Sequence, residues 1–236
     1  MLILSLDTSS AAGSAAVTRD GVVLVERRGD GARTHGERLP RELMTVLEEA
    51  GVALRAIDRF AIATGPGSFT GLRVGIATMQ GLALAQQKLV SPVSTFEALA
   101  FLSSDLHPPV STATAIWIDA HRGEVFAALY APDGRTILAG PSSLSPEATL
   151  NAWASATDRD VTVRFAGDGA IKYADVIRLR LGSRAILPDD VPALAGGIAR
   201  IAARDPERAV RPHAVIPLYV RRSAVELARD RQQAAE

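Results

Sequence analysis

The stretch Leu2-Ile3-Leu4-Ser5-Leu6-Asp7-Thr8-Ser9-Ser10-Ala11-Ala12-Gly13-Ser14-Ala15-Ala16-Val17-Thr18-Arg19-Asp20-Gly21-Val22-Val23-Leu24-Val25-Glu26-Arg27-Arg28 reads as three consecutive strands. Its first apolar run, Leu2–Leu6, stops at Asp7, and small residues make the turn to a second strand over Ser14–Thr18. Arg19-Asp20-Gly21 then turns into a third strand, Val22–Arg28. Asp-Gly between apolar runs is a strong hairpin signal, because glycine accepts the positive φ that such turns require. Next, Glu37–Ala50 carries Leu39, Leu43, Val46, Leu47 and Ala50 at helical spacing, with Pro40 in the first turn and Gly51 as the stop. Phe60–Thr64 reads as a buried strand running into Gly65-Pro66-Gly67-Ser68-Phe69-Thr70-Gly71, and a helix from about Leu72 to Gln87 closes the unit.

The second half repeats this pattern. Ala115-Ile116-Trp117-Ile118 is an apolar strand ending in Asp119, and a turn through His121-Arg122-Gly123 leads to a strand over Glu124–Tyr130. Asp133-Gly134 turns towards Arg135–Leu138, and Thr162–Ala166 runs into Gly167-Asp168-Gly169-Ala170 as Phe60–Thr64 runs into its own glycine loop. Asp7 and Asp119 recur at nearly the interval that separates Gly65 from Gly167. A duplicated α/β unit follows, with each lobe a mixed sheet and flanking helices. This arrangement resembles the actin-like ATPases (the ASKHA fold), in which paired hairpins flank a cleft and cradle nucleotide phosphates. The expected division is a first lobe over 1–106 and a second over 107–211, handing over near the Pro-rich His107-Pro108-Pro109. A terminal segment over 212–236 follows, whose Ser223–Ala235 reads as a helix able to pack back on the first lobe.

Composition narrows the chemistry. The chain has 236 residues, of which 47% are hydrophobic and 22% charged, as expected of a globular protein with a proper core. Lys plus Arg and Asp plus Glu both total 26, so the basic surplus of a protein that grips nucleic acid alone is missing. There are no cysteines, which removes disulfides, thiolate nucleophiles and zinc–thiolate sites. The N-terminus lacks a basic leader, and no apolar run approaches the roughly 20 residues needed to span a bilayer, so a soluble, cytoplasmic protein without membrane contact is expected.

Several motifs carry candidate chemistry. The Gly65–Gly71 loop can aim backbone N–H groups at an anion, but Leu72-Arg73 follows where a P-loop needs Lys and Ser/Thr. Asp7, Thr8 and Ser9, with Asp119 in the second half, are positioned to line a vestigial nucleotide cleft; Asp7 and Thr8 can equally serve the backbone donors of their own turn. The histidines His35, His107, His121 and His213 form no His-x-x-x-His or His-Glu-x-x-His pair, so no metal site and no catalytic residue is expected. His35, beside Gly36-Glu37 at a helix start, reads as a capping or surface residue. Gly71, Gly75 and Thr78 share a helix face that is open to close approach, either to the sheet or to another subunit. With Leu72, Met79 and Leu82, and with Leu39, Leu43, Met44 and Leu47 of the preceding helix, this face is expected to form part of a partner interface.

The run Gly65-Pro66-Gly67-Ser68-Phe69-Thr70-Gly71-Leu72-Arg73-Val74-Gly75 resembles the signature of the TsaB (YeaZ) family. Matching segments include Leu6-Asp7-Thr8-Ser9, His35-Gly36-Glu37-Arg38-Leu39, Val93-Ser94-Thr95-Phe96-Glu97-Ala98-Leu99, Asp119-Ala120-His121-Arg122-Gly123-Glu124-Val125, Ala166-Gly167-Asp168-Gly169-Ala170 and Pro217-Leu218-Tyr219-Val220-Arg221. The resemblance implies a non-catalytic subunit in threonylcarbamoyl transfer to adenosine 37 of tRNAs that read codons beginning with A. It further implies a TsaD-like catalytic partner, a TsaE-like ATPase, tRNA reached through the complex, and a homodimer when the subunit is alone. ATP would be used by the complex, with no cofactor held by this chain. Two other readings are an actin-like phosphotransferase, which needs complete phosphate loops, and a glycoprotease-like metallopeptidase, which needs the absent histidine pair.

Overall fold

The computed structural model describes residues 1–106, 112–156 and 161–221. The first lobe runs β1 (Leu2–Asp7), β2 (Ser14–Arg19), β3 (Val22–Arg28), α1 (His35–Glu49), β4 (Arg59–Ala63), α2 (Phe69–Ala85), β5 (Val90–Val93) and α3 (Thr95–Leu106). The second runs β6 (Ala113–Asp119), β7 (Val125–Tyr130), β8 (Ile137–Leu144), α4 (Pro146–Ala152), β9 (Val163–Ala166), α5 (Asp168–Lys172), α6 (Ala174–Leu181) and β10 (Ala185–Ile186), with α7 (Ala195–Arg204) after it. The sheets are ordered β3-β2-β1-β4-β5 and β8-β7-β6-β9-β10. In each, the first two pairings are antiparallel and the last two parallel. The strands that end at Asp7 and Asp119 are therefore the central strands of matching sheets, and the duplication expected from sequence is present.

Two helices start earlier than their periodicity predicts. Thr34 caps α1 and donates its N–H to the Glu37 carboxylate at 2.9 Å, which draws His35 and Gly36 into the first turn. Ser68 caps α2, its hydroxyl accepting the Gly71 N–H at 3.2 Å. The Glu37 carboxylate at α1 and the Ser68 hydroxyl at α2 each satisfy an otherwise orphaned donor and extend the helix backwards.

The chain stacks in layers. On the outer face of the first sheet, α1 and α2 bury Leu39, Leu43, Val46, Leu47, Ile76 and Met79 against Leu4, Leu6 and Phe60. Between the sheets lies a middle layer in which α3 and α7 set Phe96, Leu99, Ile198 and Ala202 among Ile3, Ala61, Ile116 and Ala128. The outer face of the second sheet packs Trp117 and Phe165 against Leu150, Trp153 and Ile177 of the α4–α6 region. No helix of the described residues is long and apolar enough to cross a membrane.

Helix α7 lies within the stretch that the sequence divides off as the second lobe, yet it packs on β1, β2 and β4 of the first sheet. Small residues and buried hydroxyls explain why. The Ser5 hydroxyl donates to the Ala195 carbonyl at 2.7 Å, and the Ser14 hydroxyl accepts the N–H groups of Leu194 and Ala195 at 3.0 Å each. A side chain at Gly196 would press on Glu26 and Val23, and one at Gly197 on Leu102. The segment after α7 returns along the first lobe: Val215 is buried in its core, and the Leu218 N–H reaches the Thr64 carbonyl at 2.7 Å. It then crosses to the second lobe, where Arg221 pairs with Glu124. His107-Pro108-Pro109 and the helix expected over Ser223–Ala235 lie outside the described residues.

Candidate functional site

Two places gather the residues singled out from sequence: the turn after β1 and the α1–α2 face. At the turn, the Asp7 carboxylate accepts the Ser9 N–H at 2.8 Å. Ser68 donates its N–H to the Ser9 carbonyl at 2.7 Å, tying the glycine loop to the turn. A Cβ at Gly67 would overlap Ser9, and one at Gly71 the Thr8 carbonyl. These glycines serve close backbone approach, with Gly67 also at φ 156°. Asp7 is buried, and burial raises its carboxyl above the ordinary value despite the opposing hydrogen bonds from Ser9.

His35 stands behind this turn and is buried, which corrects the expectation of a capping or surface residue. Arg38 holds it there. An Arg guanidinium only donates, so Nδ1 of His35 accepts from Arg38 at 2.8 Å and Nε2 donates its proton to the Ser10 carbonyl at 2.9 Å. Burial lowers the imidazole pKa in accord with this neutral form. Arg38, also buried, donates to the Ala11 and Ala12 carbonyls at 2.9 and 2.6 Å and pairs with Glu42 at 2.6 Å. Sequence reading missed Arg38, although its position one helical turn after His35 is the available signal.

Asp7 and Ser9 line a cleft of about 300 Å3 with Gly167 and Asp168 of the second lobe. Thr8 and Asp119 do not line it. Thr8 turns inward against α2, and its buried hydroxyl has no hydrogen-bond partner among the described residues. Asp119 accepts the His121 N–H at 3.0 Å and pairs with Lys172 at 2.7 Å, while its own N–H goes to Asp168 at 2.9 Å. Arg28 in the cleft is held by Asp190 at 2.8 Å. Asp7, Asp119 and Asp168 each accept a backbone N–H at the turns around the cleft. Among the described residues, no cluster of three or more His, Asp or Glu side chains could hold a metal ion.

The residues expected on a partner interface separate into two sets. Leu39, Leu43, Leu47, Leu72 and Met79 are buried within this chain. Gly71 and Gly75 also face inward: a Cβ at Gly75 would overlap the Thr8 hydroxyl, so its small size serves internal packing. Met44, 49% exposed, and the half-buried Thr78 and Leu82 remain on the surface. They border a hollow of about 380 Å3 between α1 and α2 that also takes in Pro40, Ala77 and Gly81, and is floored by Leu43 and Leu47. Gly81, which the sequence places close to the face of Gly71, Gly75 and Thr78, has open space where a Cβ would stand and is the outward-facing glycine of α2.

A sequence model of the family described as TsaD, tRNA N6-adenosine threonylcarbamoyltransferase, matches residues 29–228. The structure superposes on YeaZ from Pseudomonas aeruginosa with a TM-score of 0.75 at 30% sequence identity, covering 92% of this chain and 99% of that one. The chain belongs to the TsaB (YeaZ) family. The tRNA threonylcarbamoyladenosine biosynthesis protein TsaB of Escherichia coli is 35% identical over 150 residues, covering 62% of this chain and 64% of that protein. An uncharacterized protein of Mycobacterium leprae is 30% identical over 225 residues, and the alignment covers 94% of this chain but 55% of that protein. Beyond the TsaB family, component A of the (R)-2-hydroxyglutaryl-CoA dehydratase of Acidaminococcus fermentans has a TM-score of 0.52 at 14% identity, a likeness of fold alone. The fold is the actin-like two-lobe fold expected from sequence.

Proposed function

We propose that this chain is a cytoplasmic, non-catalytic subunit for threonylcarbamoyl transfer to adenosine 37 of tRNAs reading codons that begin with A. It acts with a TsaD-like catalytic subunit and a TsaE-like ATPase. The tRNA is held through the complex, and ATP is used by the complex rather than by this chain. The α1–α2 hollow carries the reading, since Met44, Thr78, Leu82 and Gly81 present apolar and small groups outward above a closed core. Two helices from another actin-like subunit fit such a surface, because small residues let backbones approach while neighbouring large ones fill the grooves. In the absence of the TsaD-like subunit, a second copy of this chain uses the same face. Charge balance and the prior engagement of Asp7, Arg28 and Asp168 support a scaffold over an independent phosphotransferase.

The test is co-purification with a TsaD-like subunit, followed by tRNA modification assays with and without this chain. A stable complex should bury about 1,200–2,000 Å2 in total. Gly81→Leu and Met44→Glu are expected to keep the circular dichroism spectrum of the parent but to elute separately from the TsaD-like subunit. Modification should fall with them. Wild-type assembly by both variants would place the interface elsewhere, and robust ATP turnover by the chain alone, abolished by Asp7→Ala, would restore the phosphotransferase reading.

A further inference from the structure

At the far end of α7 from the Asp7 cleft lies a second opening between the lobes. Its volume is about 600 Å3, against about 300 Å3 for the cleft. Sites for small organic ligands commonly measure roughly 300–1,000 Å3 and combine apolar walls with a few converging polar groups. Here the walls are Phe96 and Phe101 of α3, Ile201 of α7 and Ile137 of β8.

The polar groups are not arranged as in an ordinary surface crevice. Tyr130 lines the pocket and is 95% buried, being 5% exposed. Its hydroxyl has no hydrogen-bond partner among the described residues. The hydroxyl is thus open to the cavity, where it can donate to a ligand acceptor. Burial raises its pKa to about 12, which keeps the proton in place as a donor.

Positive charge lines the same pocket. The Arg204 guanidinium lies 4.7 Å from the centre of the Phe101 ring and forms no ion pair among the described residues. The two acids of the wall are already taken, since Arg208 pairs with Glu97 at 2.8 Å and with Asp205 at 3.2 Å. The pocket therefore pairs aromatic and aliphatic walls with an unused hydroxyl donor and an unused cation.

We propose that this pocket binds a small carboxylic acid with an aromatic or flat apolar body, its carboxylate held by the Tyr130 hydroxyl and Arg204. The body lies along Phe96, Phe101 and Ile201. Tyrosine offers one O–H and arginine only donors, so a carboxylate satisfies both while a neutral amide leaves the charge uncompensated. This site shares no residue with the α1–α2 hollow, so its occupancy can be tested without the TsaD-like subunit.

The full chain is titrated with 2-naphthoate by calorimetry, with 2-naphthamide as the neutral comparator, and the site is mapped by amide NMR shifts. One-to-one binding of 2-naphthoate is expected, with shifts confined to residues around Tyr130, Phe101 and Arg204. Tyr130→Phe and Arg204→Gln should each weaken it about tenfold, the usual effect of one charge-assisted hydrogen bond. The amide should bind at least about tenfold more weakly than the acid. Tyr130→Phe keeps the buried ring, so it decides the matter even if Arg204→Gln fails to fold. No saturable binding, equal binding of acid and amide, shifts mapping to the α1–α2 hollow, or unchanged affinity in folded Tyr130→Phe would each overturn the proposal.

Discussion

The two lobes make the same turn and surround it differently. In both, an aspartate closes the central strand and accepts the N–H two residues on: Ser9 for Asp7, His121 for Asp119. In both, glycines after the fourth strand of the lobe make close backbone contact there, with the turn at Thr8 and Ser9 in the first lobe and with the strand end at Trp117–Asp119 in the second. Downstream the lobes diverge. Helix α2 runs for 17 residues and closes over Thr8, while α5 has 5 and leaves Asp119 within reach of the exposed Lys172. The same local hydrogen bonds therefore sit in a desolvated setting in one lobe and a solvated, ion-paired one in the other. Helix length, more than turn sequence, sets the electrostatics.

The largest expected effect tests the closed turn directly. Gly75→Leu should destabilise the fold by about 3 kcal/mol in urea unfolding, because its side chain must displace Thr8 from a packed layer. Gly81→Leu, on the same helix with open space around it, should leave the midpoint near that of the parent. Equal destabilisation at the two positions would show that the approach to Thr8 is not what restricts side chains on α2.

A smaller effect separates the two cations. Arg38→Ala should cost about 2 kcal/mol, since it strips the Ala11 and Ala12 carbonyls and Glu42 of a buried donor. Lys172→Ala should leave the unfolding midpoint unchanged in moderate salt, because its pair with Asp119 is exposed on the lysine side. A matching loss at both sites would remove the distinction between the lobes.

The smallest effect is a slope. The folded pKa of Asp7 lies above the ordinary 3.8, so the folded chain takes up this proton before the unfolded chain does as pH falls. The resulting contribution to stability grows as pH drops through the folded pKa towards 3.8, and is lost as pH rises again. Asp7→Asn keeps an oxygen to accept from Ser9 and should flatten that part of the pH–stability curve. Stability measured at steps from pH 4 to pH 7 checks this; an unchanged slope would mean the carboxylate is not desolvated.

The hairpins were legible because Asp20-Gly21 and the paired apolar runs announce themselves within a few residues. The recurrence of Asp7 in Asp119 was enough to expose the duplication. The facing of Gly75 was not legible, because a small residue marks a close approach without naming what approaches. That is Thr8, brought in by β1 from another part of the chain. His35 was misread for a similar reason: its burial depends on Arg38 reaching back over the turn carbonyls, a contact made only once α1 packs on β2. The place of α7 likewise depends on hydroxyls in β1 and β2, and nothing within its own Ala/Gly-rich sequence points to them.

The late arrival of α7 also has a consequence for synthesis. β1 and β2 leave the ribosome well before α7, and Ser5 and Ser14 meet their partners only when Leu194 and Ala195 emerge. Until then Ile3 and Ala61 lack the apolar cover of Ile198 and Ala199. The first sheet is thus completed by a helix 190 residues downstream of Ser5, and the nascent chain carries that part of the sheet face uncovered until α7 has been made.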